Sequence, residues 1–279
     1  MNSFYYSPTH NQGITKTISV TSGKGGVGKS SMVANMALQM AREGKRVLIL
    51  DGDWGMANID IMFGVRSRYT VEDVVKGRKE LKDVIVEVAP GVDLIPGGQG
   101  LYDLQHIDTL MRRYLLDQVG TLEGLYDVML IDTAPGIADN VLYLNSAAQE
   151  ICIILGPDPA SLTDAYSLIK VLHQKQRETR FSIMCNQVTD EIDALRIFKR
   201  LDDVASQFLC VRLKYIGFVP FDPELRKATK SQQLVVLSRP MSVSGQAIQG
   251  IAQKLSGFRE LRESKGGMQF FWEQMMGVA

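Results

Sequence analysis

The sequence predicts a single doubly wound α/β fold built on a mainly parallel sheet. Val47-Leu48-Ile49-Leu50 and Val128-Met129-Leu130-Ile131 are continuous apolar runs, each closed by an acid, Asp51 and Asp132. A run without polar alternation belongs to a strand covered on both faces, and such strands pair in parallel beneath helices. A third stretch, Gly23-Lys24-Gly25-Gly26-Val27-Gly28-Lys29-Ser30, fits G-x-x-x-x-G-K-[ST]. The β-branched run Thr17–Thr21 precedes it and reads as a strand. Ser30 to Glu43 follows and reads as a helix stopped by Gly44.

A strand, a glycine turn and a helix N-terminus aim backbone N–H groups and a positive dipole end at one point. A polyphosphate satisfies both. Gly23 to Ser31 is therefore the expected phosphate-binding loop. Lys29 adds a point charge for the β- and γ-phosphates, and the Ser30 hydroxyl suits Mg²⁺. Lys24 is a second lysine that a self-contained site with Lys29 does not need.

The sheet's remaining edges carry acids and amides. In open α/β sheets ligands bind just past the carboxyl ends of the strands. Asp51-Gly52-Asp53 stands at one such end. Asp53 lies further into the loop and is chosen for the γ-phosphate, Mg²⁺ or an attacking water. Asp132, after four apolar residues, has the Walker B arrangement for Mg²⁺. Gly136 lets the following loop, Thr133-Ala134-Pro135-Gly136-Ile137, approach the γ-phosphate. Thr70 with Asp73 reads as a capped helix start. Val84–Val88 and Val92–Ile95 read as strands, Pro96–Gly100 as a loop and Ile107–Val119 as a helix. Phe181-Ser182-Ile183-Met184-Cys185-Asn186 is a further strand. The Asn186 amide matches the N6/N7 edge of adenine, one donor beside one acceptor.

The C-terminal region is helical again. Ile248, Ile251, Ala252 and Leu255 form one stripe within Val243–Leu255. Past Gly266-Gly267, the residues Met268, Phe271, Trp272 and Met275 recur at i, i+3, i+4 and i+7, one apolar face. With Arg259, Arg262 and Lys265 upstream, that face fits a membrane surface. Docking on its own domain is the alternative, because so short a helix is marginal alone. The expected organisation is an N-terminal arm over 1–15, a P-loop domain over 16–262 and an amphipathic tail helix over 263–279.

Composition narrows the class. The 279 residues suit one α/β domain or two small ones, and Lys plus Arg balance Asp plus Glu at 31 each. No global field favours nucleic acid. The basic groups Arg196, Lys199, Arg200 and Arg226, Lys227, Lys230 read as solvated helix faces. Cys152, Cys185 and Cys210 lack metal or redox spacing, and a reducing cytoplasm is expected. No apolar run approaches the ~18 residues of a membrane span.

The K-G-G-V-G-K-S form resembles the deviant Walker A of the MinD/ParA ATPases. That resemblance implies that Lys24 reaches across a homodimer interface to the partner's nucleotide. Asp51-Gly52-Asp53-Trp54-Gly55-Met56-Ala57-Asn58-Ile59-Asp60 resembles the D-x-D-x-G-x-x-N-x-D switch I of MinD-like proteins, whose second aspartate, here Asp53, orients water. Ile216-Gly217-Phe218-Val219-Pro220-Phe221-Asp222 resembles the loop where backbone and proline flank adenine, which adds Pro220 and Asp222 to the expected ATP site. Asp139–Ser146, Pro157–Tyr166 and the tail are similar to the FlhG/FleN branch, which sets flagellar number. The implied partners are a flagellar transcription activator or the FlhF GTPase. The arm lacks the D-Q-A-x-x-L-R motif of FlhF-stimulating relatives, which favours the activator. The implied location is cytoplasmic, with peripheral membrane association. A MinD/ParA-like role in positioning another cargo, or on DNA, is the alternative.

Overall fold

The structure is a computed structural model and describes residues 14–53, 58–97, 108–257 and 266–277. Eight strands form one sheet: β1 (Lys16–Thr21), β2 (Val47–Gly52), β3 (Val86–Ala89), β4 (Val92–Pro96), β5 (Val128–Thr133), β6 (Glu150–Leu155), β7 (Arg180–Val188) and β8 (Arg212–Pro220). Their order is β3-β4-β2-β5-β1-β6-β7-β8. All neighbours are parallel except β3–β4, which is an antiparallel pair. β2, β5 and β6 are buried along their whole length, as their unbroken apolar sequences require.

Side-chain alternation divides the core between the two faces. Ile18, Val20, Ile49, Leu130 and Ile154 pack with the helices Lys29–Arg42 and Val243–Gly257. On the other face Leu48, Leu50, Met129 and Ile131 pack with helices Thr109–Gly120, Asp139–Ala147 and Met268–Met275. Further along that face, Ile151, Ile153 and Ile183 meet helices Pro159–Gln176 and Glu191–Phe208. Cys152 and Cys185 are small core residues on β6 and β7, while Cys210 is exposed.

Some boundaries differ from the sequence reading. Val84 ends a short helix, Leu81–Val84, started by a capping box at Glu80 and Asp83, and the strand begins only at Val86. The helix expected from Ile107 starts at Thr109, where the Asp108 carboxylate accepts the Met111 N–H at 2.8 Å. Thr70 and Asp73 form the expected capping box. The arm residues Phe4, Tyr5 and Tyr6, together with Trp54, Arg259, Arg262 and Lys265, lie outside the described residues. Among the described residues no helix is long and apolar enough to cross a membrane.

Candidate nucleotide site

Parallel pairing brings the chemistry to one edge. β1 lies between β5 and β6, so the loop that follows Thr21 emerges beside Asp132. In register, Val20 pairs with Asp132 and Asp51 pairs with Asp132. The glycine loop, Asp51, Asp53 and Asp132 thus converge, although they are spread over more than 100 positions of sequence.

The loop's backbone explains its glycines. Gly26 and Gly28 have φ of 82° and 88°, in the left-handed region. At Gly23 a Cβ would lie 2.2 Å from the Asp164 backbone, so this turn packs too closely for any side chain. Gly28 is the N-cap of helix Lys29–Arg42, and no side chain caps it. The first-turn N–H groups of a helix have no intrahelical acceptor. Left uncapped at the end of a glycine loop, they are donors aimed at an anion, which fits a phosphate group.

Lys29 is buried, and its Nζ lies 3.3 Å from the Asp132 carboxylate. The Ser30 hydroxyl also hydrogen-bonds Asp132. Burial still holds the Asp132 carboxyl above its usual range, against the opposing pull of Lys29 and Ser30, while Asp53 adds repulsion. A cation arriving here would relieve both burial and repulsion, so a hydroxyl and two carboxylates at this point fit Mg²⁺. Among the described residues no three His, Cys, Asp or Glu side chains cluster as a metal cage. A Mg²⁺ held mainly by substrate phosphates and water needs none.

Asp51 is the acid that the sequence reading passed over. Its Oδ1 accepts the Asp53 N–H at 3.2 Å, and its Oδ2 accepts those of Asn58 and Ile59 at 3.1 and 3.2 Å. It therefore clamps both ends of the loop that carries Asp53. Burial, with the Asp132 charge beside it, raises its pKa to about 7, and the three N–H donors offset this only in part. The Asp51–Asp53 spacing was the available signal, but which acid turns inward is set by the sheet.

Lys24 is placed differently from Lys29. It is exposed on the rim, and its Nζ lies 2.9 Å from Asp158 Oδ1, at the start of helix Pro159–Gln176. The Lys24 hydrogen bond holds the Asp158 carboxyl below its usual range. A pair this open to water is held weakly. The Gly136 N–H donates to Ser22 O at 2.9 Å, which brings the loop after β5 onto the glycine loop.

The remaining predicted residues lie on the far side of β1. Asn186, buried at the end of β7, donates from Nδ2 to Val27 O at 2.7 Å. Pro220 ends β8 and is partly exposed. Asp222 is buried and structural in its bonding. Its Oδ1 caps helix Pro223–Lys230 through the Glu224 N–H at 2.8 Å, and its Oδ2 accepts the Ser244 hydroxyl at 2.6 Å. Burial works against the charge of Asp222, but these donors outweigh it and hold its carboxyl below the usual range. A group with a lowered folded pKa adds stability that is present above the unfolded carboxylate range and lost as pH falls through the folded value. Asp222→Ala should therefore destabilise the chain by about 1–2 kcal/mol at pH 7. The gap from the parent chain should shrink on acidification below the carboxylate range, as read by urea unfolding at each pH. A gap that does not change with pH would contradict the charged cap.

The tail helix packs against the helix that follows the loop after β5. Met268, Phe271, Trp272 and Met275 are buried among Leu115, Val119, Leu144 and Ala147. The Tyr143 hydroxyl donates to Gln274 O. Tyr143 lies in helix Asp139–Ala147, which directly follows the loop holding Gly136.

Comparison with known proteins agrees with this geometry. A family model described as an AAA domain matches residues 15–185. The Antiactivator FleN of Pseudomonas aeruginosa is 36% identical over 261 residues, 94% of this chain and 93% of that protein. The Flagellum site-determining protein YlxH of Helicobacter pylori is 32% identical over 95% of this chain and 91% of its own length. Among solved structures, the septum site-determining protein MinD of Pyrococcus horikoshii complexed with Mg-ADP superposes with a TM-score of 0.67 at 28% identity. It covers 87% of this chain and 96% of its own. The MinD cell division protein of Aquifex aeolicus gives 0.67 at 26%, over 88% and 98%. With its phosphate loop, paired strand-end acids and eight-stranded sheet, the chain belongs to the MinD/ParA family of P-loop ATPases, in the branch that contains FleN and YlxH.

Proposed function

We propose that this ATPase is a Mg-ATP-dependent dimerising switch that hydrolyses ATP to ADP and phosphate and thereby regulates flagellar number or biosynthesis. The observation that carries the reading is the separation of two lysines in one loop. Lys29 is 8% exposed and committed to Asp132, while Lys24 stands on the rim beside Asp158. The first serves the chain's own phosphates. The second is free to move to a nucleotide held by a second copy, since its present pair is solvated and weak.

In this reading Gly23, Gly25, Gly26, Val27, Gly28 and Ser31 supply backbone and hydroxyl donors to the phosphates. Ser30, Asp132 and Asp53 would hold Mg²⁺, which would supply positive charge to offset that of the phosphates. Asp53 orients the attacking water, positioned by the clamp that Asp51 makes. Asn186, Pro220 and Asp222 form the nucleoside end, with Asn186 tying β7 to the loop and Asp222 holding the turn after Pro220. Catalysis of this kind is positioning plus charge stabilisation, so a lysine donated in trans makes hydrolysis depend on dimerisation. The flagellar role is supported by the names of the relatives, an antiactivator and a flagellum site-determining protein. The partner that fits is a flagellar transcription activator.

The test is molar mass by light scattering on Asp53→Ala, which should bind ATP without consuming it. Mass should double with ATP and not with ADP, and adding Lys24→Ala should abolish or alter the response. Monomer in both nucleotides, with binding confirmed, would overturn the dimer switch.

A further inference from the structure

Helix Pro223–Lys230, the short helix Val235–Ser238 and the start of helix Val243–Gly257 meet at one junction past the end of β8. Two side chains pin it. Asp222 Oδ2 accepts the Ser244 N–H and hydroxyl at 3.2 and 2.6 Å, and the Arg239 guanidinium donates to Glu224 at 3.3 Å. The short helix is in turn fixed to the phosphate-loop helix. Asn35 Oδ1 accepts the Val236 N–H at 3.2 Å, and Arg42 donates to Val236 O.

The surface held on this frame is apolar. Phe221, Leu237, Met241 and Val243 are 58%, 65%, 79% and 60% exposed. Phe221 and Val243 flank the Asp222–Ser244 bond, and Leu237 and Met241 lie two positions either side of Arg239. Single apolar side chains on a surface are ordinary, but a group of large ones marks a contact site. Cations accompany them. Arg226, Lys227, Lys230 and Arg239 are all exposed. Glu224 is shared between Lys227 at 2.8 Å and Arg239 at 3.3 Å, and among the described residues Arg226 and Lys230 make no ion pair. The Asp222 carboxylate is buried and taken up by its own donors. Residues 221–243 thus present apolar surface with an excess of positive charge.

Charge and place select the occupant. A second copy meeting this face isologously would set these cations against their own counterparts. A membrane reached through the tail lies at the other edge of the sheet. Helix Val243–Gly257 has 15 residues and runs about 20 Å from this junction to its last turn, where Leu255 O accepts from Lys16 at the start of β1. The tail resumes at that same edge, with Gly267 against Ile14 and Thr15. A nucleic-acid backbone answers the cations but offers nothing to the apolar side chains. An amphipathic helix with acids beside its apolar stripe answers both.

We propose that this face docks such a helix from a partner protein. Phe221, Leu237, Met241 and Val243 cover its stripe, and Arg226 and Lys230 pair with its carboxylates. The proposal goes beyond the ATP switch and rests on that reading only for the partner's regulatory role.

The test uses the full chain without nucleotide and two labelled synthetic helices that share one leucine stripe, flanked by glutamates in one and by lysines in the other. Fluorescence anisotropy should show the glutamate helix binding roughly tenfold or more tightly than the lysine helix. Leu237→Ser with Met241→Ser should weaken it roughly tenfold. Arg226→Glu with Lys230→Glu should reverse the preference, an outcome that loss of structure cannot produce. Thermal midpoints should stay near the parent's, since all four positions are exposed. Equal binding of the two helices, binding of neither, or a preference unmoved by charge reversal would overturn the assignment. Duplex DNA or anionic vesicles whose binding the apolar pair weakens equally would overturn it in their favour. Loss of ATP-dependent mass doubling in that pair would give the face to a second copy instead. Failure of the parent chain to hydrolyse ATP would overturn the switch reading and leave this face standing.

Discussion

Replacing Asp53 by alanine is expected to lower the rate of phosphate release about 10²–10⁴-fold while leaving nucleotide affinity within a few-fold of the parent, the range for removing one positioned proton-transfer or water-orienting group. The asymmetry follows from placement. The phosphate cradle is built from the backbone of Gly23–Ser30 and from Lys29, and none of it depends on the Asp53 side chain. The loop carrying Asp53 is anchored by Asp51, whose carboxylate accepts the Asp53 N–H, so truncation leaves the loop in place. Asp53 also adds to the repulsion on Asp132. Lys29→Ala is the contrast, because it removes the buried cation at 3.3 Å from Asp132 and should lose binding itself. Phosphate release under saturating ATP, with calorimetric ADP affinity, checks the pair. Near-parental turnover in Asp53→Ala would eliminate Asp53 as the water-orienting group. In cells, the same variant held in its ATP state should alter filament number per cell, which tests the flagellar assignment directly.

Trp272→Ala should release the tail helix rather than unfold the chain. Phe271, Trp272 and Met275 are each 1% exposed or less, with Met268 and Met276 beside them. Burying five such side chains stabilises by about 1.5–3 kcal/mol each. Ordering the eight residues of Met268–Met275 costs about 1–2 kcal/mol each in backbone freedom. The two nearly cancel, so the docked state is held by a small margin. Two features reduce it further. The Trp272 indole N–H is buried and unpartnered among the described residues, as is Gln118 Nε2 on the helix it packs against. Each such group weighs against the docked state. Losing the indole from a core position ordinarily costs about 3–5 kcal/mol, which exceeds the margin. Amide hydrogen exchange over 268–275 should lose its protection, while the main thermal transition falls less than a core tryptophan would dictate. A full shift of that transition with the tail still protected would contradict weak docking.

The same margin bears on membrane association, which we propose as the released state of the tail. An indole N–H left unsatisfied in the core finds partners at a headgroup interface. Helix Asp139–Ala147 links the tail to the loop at Gly136, giving a mechanical route from the phosphate site. Co-sedimentation with anionic vesicles should be stronger with ATP than with ADP, and Trp272→Ala should remove the nucleotide dependence. Equal binding in both nucleotides for the parent chain would argue against the route.

The phosphate loop, the strand-end acids and the parallel sheet were legible in the sequence because each is a local pattern with one physical solution. Unbroken apolar runs have to be covered on both faces. A glycine loop ending in Gly-Lys-Ser before a helix leaves uncapped N–H donors. The apolar stripe of Met268–Met275 was equally plain. What covers that stripe was not, since a membrane and a groove lined by Leu115, Val119 and Leu144 are alike to an apolar side chain. Only the long-range packing of helices Thr109–Gly120 and Asp139–Ala147 decides between them in this structure.

The same limit explains the finer site. Spacing marks Asp51 and Asp53 as a pair, but the register of β2 against β5 turns Asp51 inward beside Asp132 and leaves Asp53 in the loop. Spacing marks Asn186 as an amide at a strand end, but only the assembled sheet brings it to Val27, 159 positions away, whose carbonyl accepts from its Nδ2. Residue type sets which hydrogen bonds a side chain is able to make. Which of them it does make depends on neighbours brought close only when the sheet is assembled.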